Sequence, residues 1–328
     1  MGSGFATHLT EFAGLEILDF PAGPGLPLPA GADRDGPQAW RLDAASGLDA
    51  DPVLAFGELL DDFLARVDTA RVAALVVGRW GFELIDVSDG PVGATLAARA
   101  DRLPALRALF VAELTSDECD VAYLALEPVT PVLEAFPGLE QLWVRGTAGT
   151  GLSGEEQPLL APIKHETLCT LVFQSGGLDP LTMRAVGACE FPALEHLEFY
   201  FGEPRHGGTG TVADVEWLLP GDRLPNLRHL GLRDSMVQDD LAVAVAHAPV
   251  VAQLRTLDLS LGALGDGGAA ALLAGQPLGH LVKLDLHHHF LSAQMQERLR
   301  QAWPGVEIDL SEPQPDGDEW GRYVAVAE

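Results

Sequence analysis

The chain carries ten histidines among 48 acidic side chains, which is material for acid–base or metal chemistry. The best-spaced set is His196, Glu198 and His229. The two histidines hold the same place in successive copies of one repeated strand pattern, and Glu198 follows the first by two residues. Neighbouring parallel strands lie about 4.8 Å apart, so these side chains can meet. Imidazole with carboxylate suits zinc, but two histidines and one carboxylate on a flat face are too sparse a set to assign a metal. No cofactor is assigned either. The run His287–His288–His289 cannot put three rings on one face, because strand side chains alternate. His289 falls in the turn after its strand, where it is expected to cap backbone groups.

Other chemistry is not supported. His165 and Glu166 open like the zinc-hydrolase motif HExxH, but Cys169 stands where the second histidine belongs. The glycine-rich stretches lack the GxxxxGK[ST] order of a phosphate loop. The run Gly151, Leu152, Ser153, Gly154 is not the GxSxG elbow, and Asp316, Gly317 and Asp318 lack the further ligands of a calcium loop. No catalytic residue is assigned, and the chain reads as non-enzymatic.

The elements that must position these residues are set by leucine. Leu227, Leu230 and Leu232 have the spacing LxxLxL, as do Leu254, Leu257 and Leu259, and Leu281, Leu284 and Leu286. The middle leucines recur every 27 residues. Looser copies centre on Leu75, Leu109, Leu142, Leu171 and Leu197, and Ile308 closes the series. A fixed period in this range marks a leucine-rich-repeat solenoid, each unit too small to fold alone. The fold class is therefore α/β: an open horseshoe with a parallel sheet on the concave side and helices on the convex side. Residues 1–38 are expected to form an N-terminal cap strand or hairpin and a Pro/Gly loop, residues 39–310 the solenoid, and residues 311–328 an acidic tail whose apolar end RYVAVAE has the composition of a docking cap but is expected to be partly mobile. Helical periodicity or end signals place helices at 53–67, 92–103, 239–247, 266–273 and 293–303.

Leucines that point inward leave the intervening residues on the concave face. These are Phe110; Gln141, Trp143 and Arg145; Gln174; His196, Glu198 and Tyr200; His229 and Arg233; Asp258 and Ser260; and Lys283, Asp285 and His287. Trp, Tyr and Arg often carry interface energy, so this face is the expected partner-binding site.

Composition narrows the partner. A formal charge of −28 repels phosphate backbones and anionic membranes, so a protein or peptide, especially a basic one, fits better. The three scattered cysteines read as reduced residues of a cytoplasmic protein. The opening MGSGFATHLTEF is not a secretory signal, and no window is apolar enough to span a membrane.

The segments LDLHHHFLS (284–292), HLTEF (8–12) and RYVAV (322–326) together resemble an uncharacterised family of bacterial leucine-rich-repeat proteins. That resemblance carries over no functional residue. It implies at most an accessory role beside radical-SAM and ATP-grasp-type modification enzymes.

Overall fold

The computed structural model describes residues 5–23, 25–44, 56–80, 92–148, 157–317 and 321–326. Its strands are β1 (Glu11–Phe12), β2 (Leu15–Asp19), β3 (Gln38–Leu42), β4 (Val72–Val77), β5 (Ala108–Val111), β6 (Ala125–Leu126), β7 (Gln141–Arg145), β8 (Thr147–Ala148), β9 (Thr170–Gln174), β10 (His196–Gly202), β11 (His229–Ser235), β12 (Thr256–Asp258), β13 (Lys283–Asp285) and β14 (Glu307–Asp309). All but β6 and β8, which pair with each other, join one twelve-stranded sheet in chain order. The sheet is parallel except where β1 turns back antiparallel on β2. Among the described residues the architecture is mixed α/β built on this long parallel sheet.

The repeat spacing explains the register. Leu230 pairs with Leu257, Leu257 with Leu284, and Leu284 with Ile308. Upstream, Leu75, Leu109, Leu142, Leu171, Leu197 and Leu230 pair in the same way. The leucines of this row are fully buried in one continuous core that runs the length of the sheet. The helices α1 (Phe56–Arg66), α2 (Val92–Ala97), α3 (Thr130–Ala135), α4 (Pro180–Gly187), α5 (Val212–Val215), α6 (Gln238–Val245), α7 (Asp266–Ala274) and α8 (Ala293–Ala302) close the core from the other side. Successive helices pack on one another, α6 on α7 and α7 on α8. Within the helix expected over 53–67, residues 53–55 lie outside the described set.

Local chemistry sets the helix ends. Asp179 accepts from Thr182 N at 2.9 Å at the start of α4, and Ser292 accepts from Met295 N at 3.2 Å at the start of α8. The α7 start is capped from the previous coil: Asp239 accepts from Gly265 N at 2.7 Å and Gly268 N at 3.1 Å. Each cap satisfies backbone donors that a helix cannot satisfy itself, and the last one ties neighbouring coils together. His289 does what its turn position predicts. Its Nδ1 accepts from Leu291 N at 3.1 Å and its Nε2 lies 3.2 Å from Leu310 O, which fixes a neutral ring protonated at Nε2.

Leu257 is fully buried between the equivalent residues of two neighbouring coils. Leu257→Ala should cost roughly 2–5 kcal/mol by leaving a cavity. A lowered midpoint in urea unfolding checks this, and an unchanged midpoint would contradict the assigned core position.

Candidate functional site on the outer sheet face

The sheet face turned away from the helices is the place where the intervening residues come together. Register arranges them in rows across the strands. One row holds Gln141, Thr170, His196, His229, Thr256, Lys283 and Glu307; the next holds Trp143, Val172, Glu198, Gly231, Asp258, Asp285 and Asp309. Sequence alternation finds most of these residues, but not how much of the face is already occupied.

Two chain ends cover part of it. Phe12 packs on Phe110 at 5.9 Å and on Trp143 at 6.4 Å between ring centroids, with Leu9 beside them. The segment is pinned by Glu113, a fully buried carboxylate. Glu113 accepts from Leu9 N at 2.8 Å, lies 3.0 Å from His8 Nδ1 and accepts from Arg41 Nε at 3.1 Å. Arg41 Nη2 in turn donates to Leu9 O at 2.6 Å. At the exit of the strands the other end docks. Val326 N donates to Asp234 Oδ1 at 2.8 Å and Ala325 N to Leu261 O at 2.8 Å. Arg322 reaches Asp239 at 3.1 Å and Asp316 at 2.7 Å. Residues 321–326 are therefore packed down, where the sequence suggests a mobile tail. Complete burial pushes the Asp234 carboxyl well above the usual range.

Several expected partner-binding residues are corrected by this cover. Phe110 is buried under Phe12. Arg145 is buried with its guanidinium 3.8 Å from the Phe5 ring centroid; it donates to Leu114 O and, at 2.9 Å, to Gln174 Oε1. Burial lowers its pKa to about 10. Gln174 is consumed by that bond and buried with it. Tyr200 lies beneath Phe5 and next to Val326. Trp143 keeps an edge at the surface, 6.4 Å from the His196 ring, although its indole Nε1 is buried without a hydrogen bond.

What remains open is a lane along β10 to β14, the row His196, His229, Thr256, Lys283 and Glu307 with His287 and Asp309 beside it, while Glu198, Asp258 and Asp285 lie buried between these residues. His196 Nε2 lies 2.7 Å and His229 Nε2 2.9 Å from the same oxygen, Oε1 of Glu198. The two imidazoles stack at 3.8 Å and are parallel within 2°. The other Glu198 oxygen accepts from Arg233 Nη1 at 2.8 Å. Arg233 also lies over the Tyr200 ring at 4.7 Å, reaches Asp258 at 3.2 Å and donates to Ser260 Oγ at 3.1 Å. Burial opposes ionisation of Glu198, yet the two imidazoles and the guanidinium outweigh it and hold the carboxyl well below its usual range. Gly231 makes this possible, since a Cβ there would come within 2.7 Å of Glu198 Cγ.

Further along the lane a second motif repeats. Asp258, Asp285 and Asp309 each accept the backbone N–H two residues on, at 3.0, 3.1 and 3.0 Å. Their Oδ1 atoms also receive Ser260 Oγ, meet His287 Nδ1 and receive Ser311 Oγ, at 2.6, 2.6 and 2.7 Å. Lys283 Nζ sits 2.8 Å from the other Asp285 oxygen. Burial, with the neighbouring carboxylates, raises the Asp258 carboxyl against the pull of Arg233. Burial also opposes the charge on Asp285, but His287 and Lys283 lower its pKa on balance. Of these three aspartates, Asp309 is the one missing from the expected site. Its signal was the Ile308–Asp309–Leu310–Ser311 copy of Leu257–Asp258–Leu259–Ser260.

Among the described residues no helix is long and apolar enough to cross a membrane. The outer face and the core behind it define a chain of stacked coils sharing a parallel sheet. No protein-family model matches the chain, and no curated protein matches it. Among solved structures, a structural-genomics target from Bacteroides fragilis is 25% identical, covers 88% of this chain and 77% of its own, and superposes with a TM-score of 0.73. An internalin from Listeria monocytogenes is 13% identical over 73% of this chain and 67% of its own, with a TM-score of 0.28, too loose for argument.

The two neighbouring histidines give a pH test. Burial opposes charge on His287, but its bond to Asp285 raises its pKa above 6.5. Burial lowers that of His289 below 6.5. The His287 contribution to stability is thus full below pH 6.5 and lost as pH rises through its folded value. His289 has the opposite sign, its contribution being lost as pH falls below 6.5. Histidine ring NMR titration should find the two midpoints on opposite sides of 6.5; midpoints on the same side would refute the assigned contacts.

Proposed function

We propose that the chain is a leucine-rich-repeat solenoid acting as a non-enzymatic, cytoplasmic scaffold that binds a protein or peptide along the open lane of its sheet. In such a solenoid the sheet lines the concave side, and the two docked chain ends narrow that side to the lane over β10 to β14. The observation that carries this reading is the accessible in-register row His196, His229, Thr256, Lys283 and Glu307, which ends beside Asp309. It offers donors and acceptors at the regular pitch of about 4.8 Å, and an extended peptide lying across the strands would meet several in turn. The three cysteines are free thiols, in keeping with a reducing compartment. A radical-SAM or ATP-grasp-type modification enzyme, the class implied by the sequence resemblance, is one partner this scaffold would serve.

Arg233 and Lys283 are already paired with Glu198 and Asp285, and the chain as a whole is acidic, so the partner segment should be basic. Panning a random peptide library against the chain should enrich sequences with net positive charge. Exchanging Glu307 for Gln and Asp309 for Asn, the accessible carboxylates of the lane, should weaken capture several-fold at low salt. The difference should shrink near 1 M salt, where the screening length is about 3 Å. Enrichment of acidic peptides, or capture indifferent to both exchanges, would contradict the proposal.

A further inference from the structure

We propose that His196, Glu198 and His229 form a binding site for a divalent transition-metal ion of the zinc type, with a coordination position left open toward the outer sheet face. The inference is independent of the protein-binding reading and stands or falls separately.

Two features of the cluster point to an ion. Both Nε2 atoms converge on one carboxylate oxygen, at 2.7 and 2.9 Å. The His229 Nε2 is nonetheless buried and makes no hydrogen bond, because its approach to Glu198 lies outside hydrogen-bonding directions. A buried ring nitrogen whose one close contact, the Glu198 oxygen at 2.9 Å, is poorly directed is under-satisfied, and a cation between the three atoms would satisfy it. Two imidazoles and a carboxylate, completed by water, are a common three-ligand zinc set. Zinc bonds of about 2.0–2.2 Å place tetrahedral ligands about 3.3 Å apart, so the ion needs the ligand atoms to spread by roughly half an ångström and the two stacked rings, parallel at 3.8 Å, to turn until their in-plane lone pairs converge.

The surroundings suit that role. Arg233 occupies Oε2 of Glu198, orienting the carboxylate and leaving Oε1 to the ion, the part that an outer-shell partner plays in metal sites. Asp258 pairs with the same guanidinium, so the local positive charge is offset. The rings retain 28% and 20% side-chain exposure, which gives an ion and a fourth ligand access. The second cluster, Asp285, His287 and Asp309, suits an ion less well. Asp285 Oδ1 already accepts His287 N and meets its Nδ1, and the Lys283 ammonium sits on Oδ2.

The test uses the full chain without a polyhistidine tag, stripped with chelator. Calorimetric titration with zinc chloride should show one ion per chain with an affinity of roughly micromolar or tighter. Cobalt(II) chloride should give visible bands of an imidazole-ligated ion. His196→Ala and His229→Ala should each weaken zinc by at least ~10-fold, the low end of what even outer-shell changes cost, while His287→Ala should bind as the parent does. Circular dichroism in chelator checks that the variants fold. For any that does not, the parent protein decides: zinc must shift the ring nitrogen resonances of both His196 and His229. No saturable binding by the parent, binding retained in either folded ligand variant, equal loss in His287→Ala, or unmoved His196 and His229 resonances would each overturn the proposal.

Discussion

Everything else in this fold depends on one aliphatic contact repeated from coil to coil. The middle leucine of each strand sits directly beside its equivalent on the next, inside a core that is continuous from the first coils to the last. Because side chains alternate along a strand, a slip of one residue would turn every leucine to the outside. Hydrophobic burial therefore fixes the register, and register in turn places each outward side chain beside its counterpart one strand away. The proximity of His196 to His229 follows from Leu197 pairing with Leu230, not from any attraction between the rings.

Given that lattice, the chain ends decide how much of the outer face is available. The strands β3, β4 and β5 carry apolar outward residues, Ala39, Ala74, Val76, Ala108 and Phe110, and these form a second core under Phe12 with Trp143 of β7 packed against it. The later strands carry His, Asp, Lys and Arg instead. Cover and composition match: the segment with Leu9 and Phe12 lies where the outward face is apolar, and the polar lane is left open. Polar anchors hold each end in place, Glu113 and Arg41 at one and Asp234 and Arg322 at the other. Breaking a buried charged contact of the Glu113 kind is expensive, because the remaining charge is left unpaired.

The sequence was most legible where physics is periodic. The LxxLxL spacing announces the strands, their pairing and the inward row. Alternation names the outward row, and equivalent positions bring His196 to His229. It was illegible where the decisive contact is made by a short, aperiodic stretch. The segment from Phe5 to Phe12 has too few apolar residues to announce a strap, so the burial of Phe110 under Phe12 and of Arg145 and Gln174 under Phe5 could not be read. The strand exits are similar. Asp234, Leu261, His288 and Glu312 all adopt left-handed backbone, which non-glycine residues seldom do, and nothing in their types signals a shared turn. Their recurrence at the same place in four coils shows the lattice imposing a backbone shape on whatever residue falls there.

The leucine ladder can be observed directly. With methyl-labelled leucine in an otherwise deuterated chain, nuclear Overhauser spectra should show strong cross-peaks from Leu257 to both Leu230 and Leu284. Strong cross-peaks between Leu230 and Leu284 should be missing, since a whole strand separates them. Failure to find the two nearest-neighbour connections, or a strong direct connection that skips Leu257, would contradict the in-register stack on which the outer face and its lane are built.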